Sequence, residues 1–220
     1  MKISQSRIAP HINIQYESNA DYAKAESALG RINQGHVGSS LIRAIRDLTN
    51  NGRSLTINVN NQEMSQSFPS LTPNQVLKYN SNPSCFDANH NILATRLASK
   101  TSTGMFGEGT GSVIDWNSSI SVLTDRNGKS KATKNESQSY ISLAHEMIHS
   151  YGMMKGTFEG GGGIERYNKG TSSNIEELKV IGITPYNNEY ITENKIRGEH
   201  GLYSRTKYKV DEFDIDSVGY

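Results

Sequence analysis

The chain has a single cysteine, Cys85, so no internal disulfide can form and no cysteine-based structural zinc site can be built. No apolar run approaches the roughly 20 residues of a membrane-spanning helix. The first residues, Met-Lys-Ile-Ser-Gln-Ser, lack the apolar stretch of a classical secretory signal peptide. An excess of one charge is also missing. The 23 Lys and Arg nearly balance the 22 Asp and Glu, giving a formal charge of +1, whereas a dedicated nucleic-acid binder carries a strong basic excess. Hydrophobic residues are few, at 34%, and mean hydropathy is -0.62. The polarity comes mainly from Asn, Ser and Thr rather than from charge, which points to long loops rather than wholesale disorder.

What is present suits one domain of 220 residues, enough to bury roughly 70% of its unfolded surface. A reducing setting, a monomer, and no nucleic-acid or membrane partner are expected. Residues 1–18 read as a polar, irregular N-terminal segment, disordered or serving as a secretion signal, and residues 19–220 as the domain. The spacing of Tyr22, Ala25, Ala28, Leu29 and Ile32 predicts a helix over residues 20–33. Leu41, Ile42, Ile45 and Leu48 predict a second, capped by Ser39 or Ser40 and ended by Asn51-Gly52. Leu55, Ile57 and Val59 alternate as in a half-buried strand. Pro69, Pro73 and Pro83 break up residues 62–95, which read as loops with short pieces. Residues 112–116 and 120–123 read as a pair of short strands joined to a turn at 124–128. The best helix candidate covers residues 139–154, with Ser137 or Ser139 as cap. Two further helices are expected near 174–181 and from 192 to 200, with Gly201 as the C-terminal glycine. The glycine run at 160–163 reads as a flexible loop. A single α+β domain follows, with the 139–154 helix under a small sheet.

That helix contains His145-Glu146-Met147-Ile148-His149. Histidines at i and i+4 share one helix face and can hold one zinc ion through neutral imidazoles. Glu146 then stands where a general base belongs. It can take a proton from a zinc-activated water, whose pKa falls to about 7, while zinc polarises the scissile carbonyl. Ile141, Ala144 and Ile148 line the apolar side of the helix. A catalytic zinc usually needs a third protein ligand. The metzincin continuation fails, because Lys155 stands where its third histidine belongs and an ammonium cannot ligate zinc. Glu176 and Glu177 on the following predicted helix are the better candidates, though paired acids on a helix commonly face solvent. Glu193 is a further alternative. Arg205 and Tyr208 are donors of the kind that hold the oxygen of a tetrahedral intermediate, although the same segment also reads as a solvated basic tail. His11, His36 and His90 read as surface or loop residues, and His200 as structural, at a helix end that favours positive charge. Trp116 reads as core or cleft wall.

The ordered set His145-Glu146-x-x-His149, Glu176-Glu177-Leu178-Lys179-Val180-Ile181-Gly182, and Thr192-Glu193-Asn194-x-Ile196-Arg197-x-Glu199-His200-Gly201-Leu202-x-x-Arg205-x-x-Tyr208 resembles the NleD-like family of bacterial type III effector zinc metallopeptidases. The resemblance covers residues 140–208. The Glu-Glu-Leu step and the Arg-x-x-Tyr pair are also similar to clostridial neurotoxin light chains. These resemblances imply a zincin-like fold with one zinc per chain. They imply that Glu177 is the third ligand, that Glu176 supports a histidine, and that Arg205 and Tyr208 face the oxyanion. They further imply secretion by a type III system into the host cytoplasm and cleavage of host MAP kinases of the c-Jun N-terminal kinase class in the activation loop. An extended substrate would pair with an exposed strand edge, for which residues 112–116 are the candidate. Two rivals are a catalytically silent zinc-containing module that occupies a host target, which the intact Glu146 disfavours, and a zinc hydrolase of small substrates.

Overall fold

The computed structural model describes residues 1–60, 64–84, 87–160 and 164–210. Cys85 and residues 161–163 of the glycine run lie outside these. A mixed five-stranded sheet organises the chain. Its strands are β1 (Lys2–Gln5), β2 (Ile12–Tyr16), β3 (Leu55–Asn60), β4 (Gln66–Ser70) and β5 (Gly111–Asn117), in the spatial order β1-β2-β3-β5-β4. The β2–β3 and β3–β5 pairs are parallel, and β1 and β4 close the two edges antiparallel. Alternation makes these strands. Ile12, Ile14 and Tyr16 in β2, and Leu55, Ile57 and Val59 in β3, are buried while their neighbours are not.

Helices α1 (Asn19–Gln34) and α2 (His36–Thr49) cross over between β2 and β3, as parallel strands require. Ser18 and Asp21 form a reciprocal cap at the start of α1, which buries Ala25, Ala28, Leu29 and Ile32. Helix α2 begins before the serines expected to cap it. Its first turn is capped from a distance: the amides of Val37 and Gly38 donate to the Glu199 carboxylate at 2.6 and 3.3 Å. Gly35 leaves room for that carboxylate, since a Cβ there would stand 2.1 Å from Glu199 Oε2.

Four expectations from local pattern are corrected. Residues 1–18 are not irregular but carry β1 and β2, the latter inside the core. Residues 62–95 hold β4, α3 (Pro73–Lys78) and most of α4 (Ala88–Ala98), with Thr72 and Asp87 as side-chain caps. The two short strands near 112–123 also pair differently. Strand β5 lies between β3 and β4, whereas β6 (Ile120–Thr124) forms a separate hairpin with β7 (Ser130–Lys134). The sheet edge near the site is therefore β4, not β5. His90 is buried in α4, where its ring bonds the Leu71 amide and the Asn82 carbonyl, so it is not a surface residue.

Helix α5 (Ser139–Lys155) packs under the sheet, and Tyr140, Ile141, Leu143, Ala144, Met147 and Ile148 enter one core with β2, β3, β5, α1 and α2. Fully burying each such large aliphatic side chain contributes about 1.5–3 kcal/mol. Trp116 joins that core and donates from its indole nitrogen to the Ser139 carbonyl at 3.0 Å. Helices α6 (Ser172–Ile181) and α7 (Glu193–Glu199) follow, capped by Thr171 and Thr192. Gly201 adopts φ +66° beyond α7, the left-handed helix end expected of it. The result is one α+β fold with the motif helix under a mixed sheet.

Candidate metal centre and active site

Helix α5 places His145 and His149 one turn apart, with ring centroids 4.8 Å from each other. Helix α6 brings Glu177 against both. His145 Nε2 and His149 Nε2 are each 3.2 Å from Glu177 Oε2, and the two nitrogens are 3.2 Å apart. Three donors thus form a nearly equilateral triangle. A tetrahedral ion with bonds of about 2.0 Å needs donors about 3.3 Å apart, so the triangle fits zinc.

The outward faces of both rings are held by carboxylates. Glu193 meets His145 Nδ1 at 2.8 Å, and Glu176 meets His149 Nδ1 at 3.3 Å. Each carboxylate fixes the ring proton on Nδ1 and turns the Nε2 lone pair towards the centre. Glu176 is anchored in turn by the Glu159 amide at 3.1 Å. Glu193 accepts from Arg197 Nε at 2.6 Å and from Arg205 Nη1 at 3.1 Å. Of the three candidate third donors, Glu177 alone reaches the triangle; Glu176 and Glu193 stand behind the histidines.

Buried charges of opposite sign shift one another at the centre. Burial works to lower the pKa of His145, yet Glu177 and Glu193 outweigh it and raise the value to about 9. His149 is raised well above its ordinary value by Glu177 and Glu176 despite its burial. Burial also works to raise Glu177, but His149 and His145 hold its carboxyl far below the usual range. Glu193 is likewise held low by Arg205 and Arg197. A divalent cation at the centre would balance Glu177 with both rings neutral.

Glu146 points into the same space. Its Oε2 accepts from Ser67 Oγ at 2.8 Å, and burial raises its pKa above the ordinary carboxylate value. Residues 66–69 of edge strand β4 form one wall of a cleft of about 370 Å³, with Val122, Arg166, Tyr167 and Tyr208 on other sides. The Tyr208 ring lies 5.4 Å from that of Tyr167, and its hydroxyl accepts from Arg166 Nη1 at 3.3 Å. Burial and the nearby Glu177 charge raise its pKa.

A family model, Peptidase_M91, described as "Effector protein", matches residues 10–208. The chain belongs to this peptidase family of effector proteins. No curated protein matches it. Among solved structures, the catalytic domain of Clostridium botulinum neurotoxin serotype F is similar over 91% of this chain and 79% of that one, at 11% identity and a TM-score of 0.49. Among the described residues of the effector, no helix is long and apolar enough to cross a membrane.

The effector's site gathers His145, Glu146, His149, Glu176, Glu177, Glu193, Arg205 and Tyr208, though not in every expected place. Arg205 lines the cleft with two donors engaged inside the protein: Nη1 serves Glu193, and Nη2 donates to the Tyr208 carbonyl. Ser67 and Arg166 had no signal in the sequence, because β4 and the turn before α6 reach the cleft only through packing. Arg197 sat inside a quoted motif without a role. His200 caps α7, 4.9 Å from the Tyr140 ring; burial and Arg31 lower its pKa, which works against a positive charge at that helix end.

Proposed function

We propose that this effector is a zinc-dependent endopeptidase, secreted by a type III system, that acts as a monomer in the host cytoplasm and cleaves MAP kinases of the c-Jun N-terminal kinase class in the activation loop. The observation that carries the enzymatic part is the 3.2 Å triangle of His145, His149 and Glu177 with Glu146 beside it in an open cleft. The substrate class comes from the family resemblance. One zinc held by that triangle would lower the pKa of a bound water to about 7 and polarise the scissile carbonyl.

The chain's own groups supply the rest. Glu146 takes the proton of the attacking water and passes it to the departing amine nitrogen. Its raised pKa suits both halves of that transfer, since a base that must later act as an acid works best nearer neutrality. Ser67 holds the Glu146 carboxylate from the edge of β4. That edge can pair with an extended substrate through main-chain hydrogen bonds, which tolerates varied side chains. Glu193 and Glu176 keep the histidines oriented, and the Tyr208 hydroxyl donates to the oxyanion.

The test is incubation of zinc-loaded protein with a panel of MAP kinases, reading fragments by mass. Cleavage within the activation loop, lost with Glu146→Ala, is expected. Zinc-loaded protein that leaves every kinase intact refutes the substrate class. Purified, chelator-free protein without zinc refutes the enzymatic reading.

A further inference from the structure

Three guanidinium groups approach the centre, and their partners separate them. Arg197 is fully buried; it donates to Glu193 through Nε and to the Val122 carbonyl through Nη2. Arg205 is nearly as buried and divides its donors between Glu193 and the Tyr208 backbone. Both cations lie behind His145 and neutralise the carboxylate that orients it. Arg166 lines the same cleft as these two, donates to the Tyr208 hydroxyl, and feels the charge of Glu177.

Its mounting is also built. Residues Ile164–Tyr167 form a 3-10 turn packed on α6. Asn174 Nδ2 donates to the Arg166 carbonyl at 2.9 Å, and Thr171 Oγ1 donates to the Glu165 carbonyl at 2.7 Å. Asn174 and Glu177 are three residues apart on that helix and share a face. Helix α6 therefore carries the carboxylate donor of the metal triangle and also sets where the Arg166 cation stands.

We propose that Arg166, not Arg205, supplies the positive charge that meets the oxyanion, acting beside the Tyr208 hydroxyl. This rests on the endopeptidase reading above. As the water oxygen bonds to the scissile carbon, the carbonyl π pair moves onto oxygen. The water proton goes to Glu146. An N–H of Arg166 and the O–H of Tyr208 then donate to the new negative charge, and the pair returns to form the carbonyl when the C–N bond breaks. Arg205 is a positioning residue that works through Glu193 and the Tyr208 backbone.

The test separates oxyanion recognition from metal binding. Calorimetry on zinc-loaded protein would compare N-phosphoryl-Leu-Trp, whose phosphoryl oxygens imitate the tetrahedral oxyanion, with acetohydroxamate, which grips the metal alone. Arg166→Ala is expected to weaken the phosphoryl compound at least tenfold while acetohydroxamate affinity, zinc content and melting temperature hold. With a cleaved substrate, kcat should fall about 100-fold, at the lower end for a lost oxyanion donor, with KM nearly unchanged. Arg166→Lys should recover little, because it loses the planar fork. Arg205→Ala should instead lower melting temperature and zinc affinity together. Wild-type affinity of Arg166→Ala for the phosphoryl compound overturns the proposal. So does loss of zinc or folding in both Arg166→Ala and Arg166→Gln, which would make the residue structural. Wild-type protein that holds no zinc overturns the endopeptidase reading itself.

Discussion

Replacing Glu193 probes the site more sharply than replacing a ligand. Its side chain is 1% exposed and accepts from His145, Arg197 and Arg205 at once. Glu193→Ala leaves two guanidiniums, themselves 0% and 6% exposed, without their shared counter-charge. Removing one partner of a buried ion pair costs about 3–5 kcal/mol. It also frees His145 Nδ1, and losing such an orienting carboxylate typically weakens metal binding about 10–100-fold. At fixed zinc that factor removes about 1.4–2.7 kcal/mol of metal-linked stability. Together the losses reach the lower part of the 5–15 kcal/mol that holds typical domains folded. Glu193→Gln keeps the volume and one acceptor, and should fold with part of the loss. Urea unfolding of metal-stripped protein measures the first contribution, and competition with a chromophoric zinc chelator measures the second. Glu193→Ala protein with wild-type unfolding and wild-type zinc affinity would refute the reasoning. Abolished zinc binding in Glu193→Ala with zinc retained in Glu177→Ala would make Glu193 the ligand.

Glu146→Ala should abolish cleavage while zinc content and melting temperature stay at wild-type values; residual activity near wild type would remove Glu146 from the mechanism. Glu177→Ala should lose zinc more completely than Glu176→Ala in elemental analysis, because only Glu177 touches the triangle. Tyr208→Phe should lower kcat about 100 to 1,000-fold with little change in KM, and unaltered kcat would return that hydroxyl to a packing role. Metal-stripped protein should be most stable between about pH 4.5 and 6.5. The raised pKa of His145 contributes stability that is full below 6.5 and lost as pH rises through about 9, while the depressed Glu193 contributes stability that is lost as pH falls below 4.5. Zinc keeps His145 neutral and should remove the alkaline loss; chemical denaturation across pH, with and without zinc, checks both limbs.

Elements with a full local signal were legible in the residues themselves. Helix α1 has its apolar stripe, β3 its alternation, and α7 its closing Gly201. Elements specified by distant partners were not. Strand β2 carries the same alternation in Ile12, Ile14 and Tyr16, but it is short and set in a polar stretch, and its place inside the sheet comes from β3 lying parallel beside it. The start of α2 depends on Glu199, far along the chain. Strand β4 carries Pro69, which is tolerated because the strand lies at a sheet edge, where a missing N–H need not break a ladder.

The candidate site divides the same way. His145 and His149 face one way with Glu146 beside them because helical geometry acts over four residues, and spacing alone records that. The sequence also supplied the carboxylates that follow. Which carboxylate completes the triangle depends on how α6 and α7 pack against α5. The same packing sent Arg205 behind His145 and brought Ser67 and Arg166 to the cleft. Side chains from separate elements converge only when a shared core sets the distances between those elements, and no local spacing records those distances.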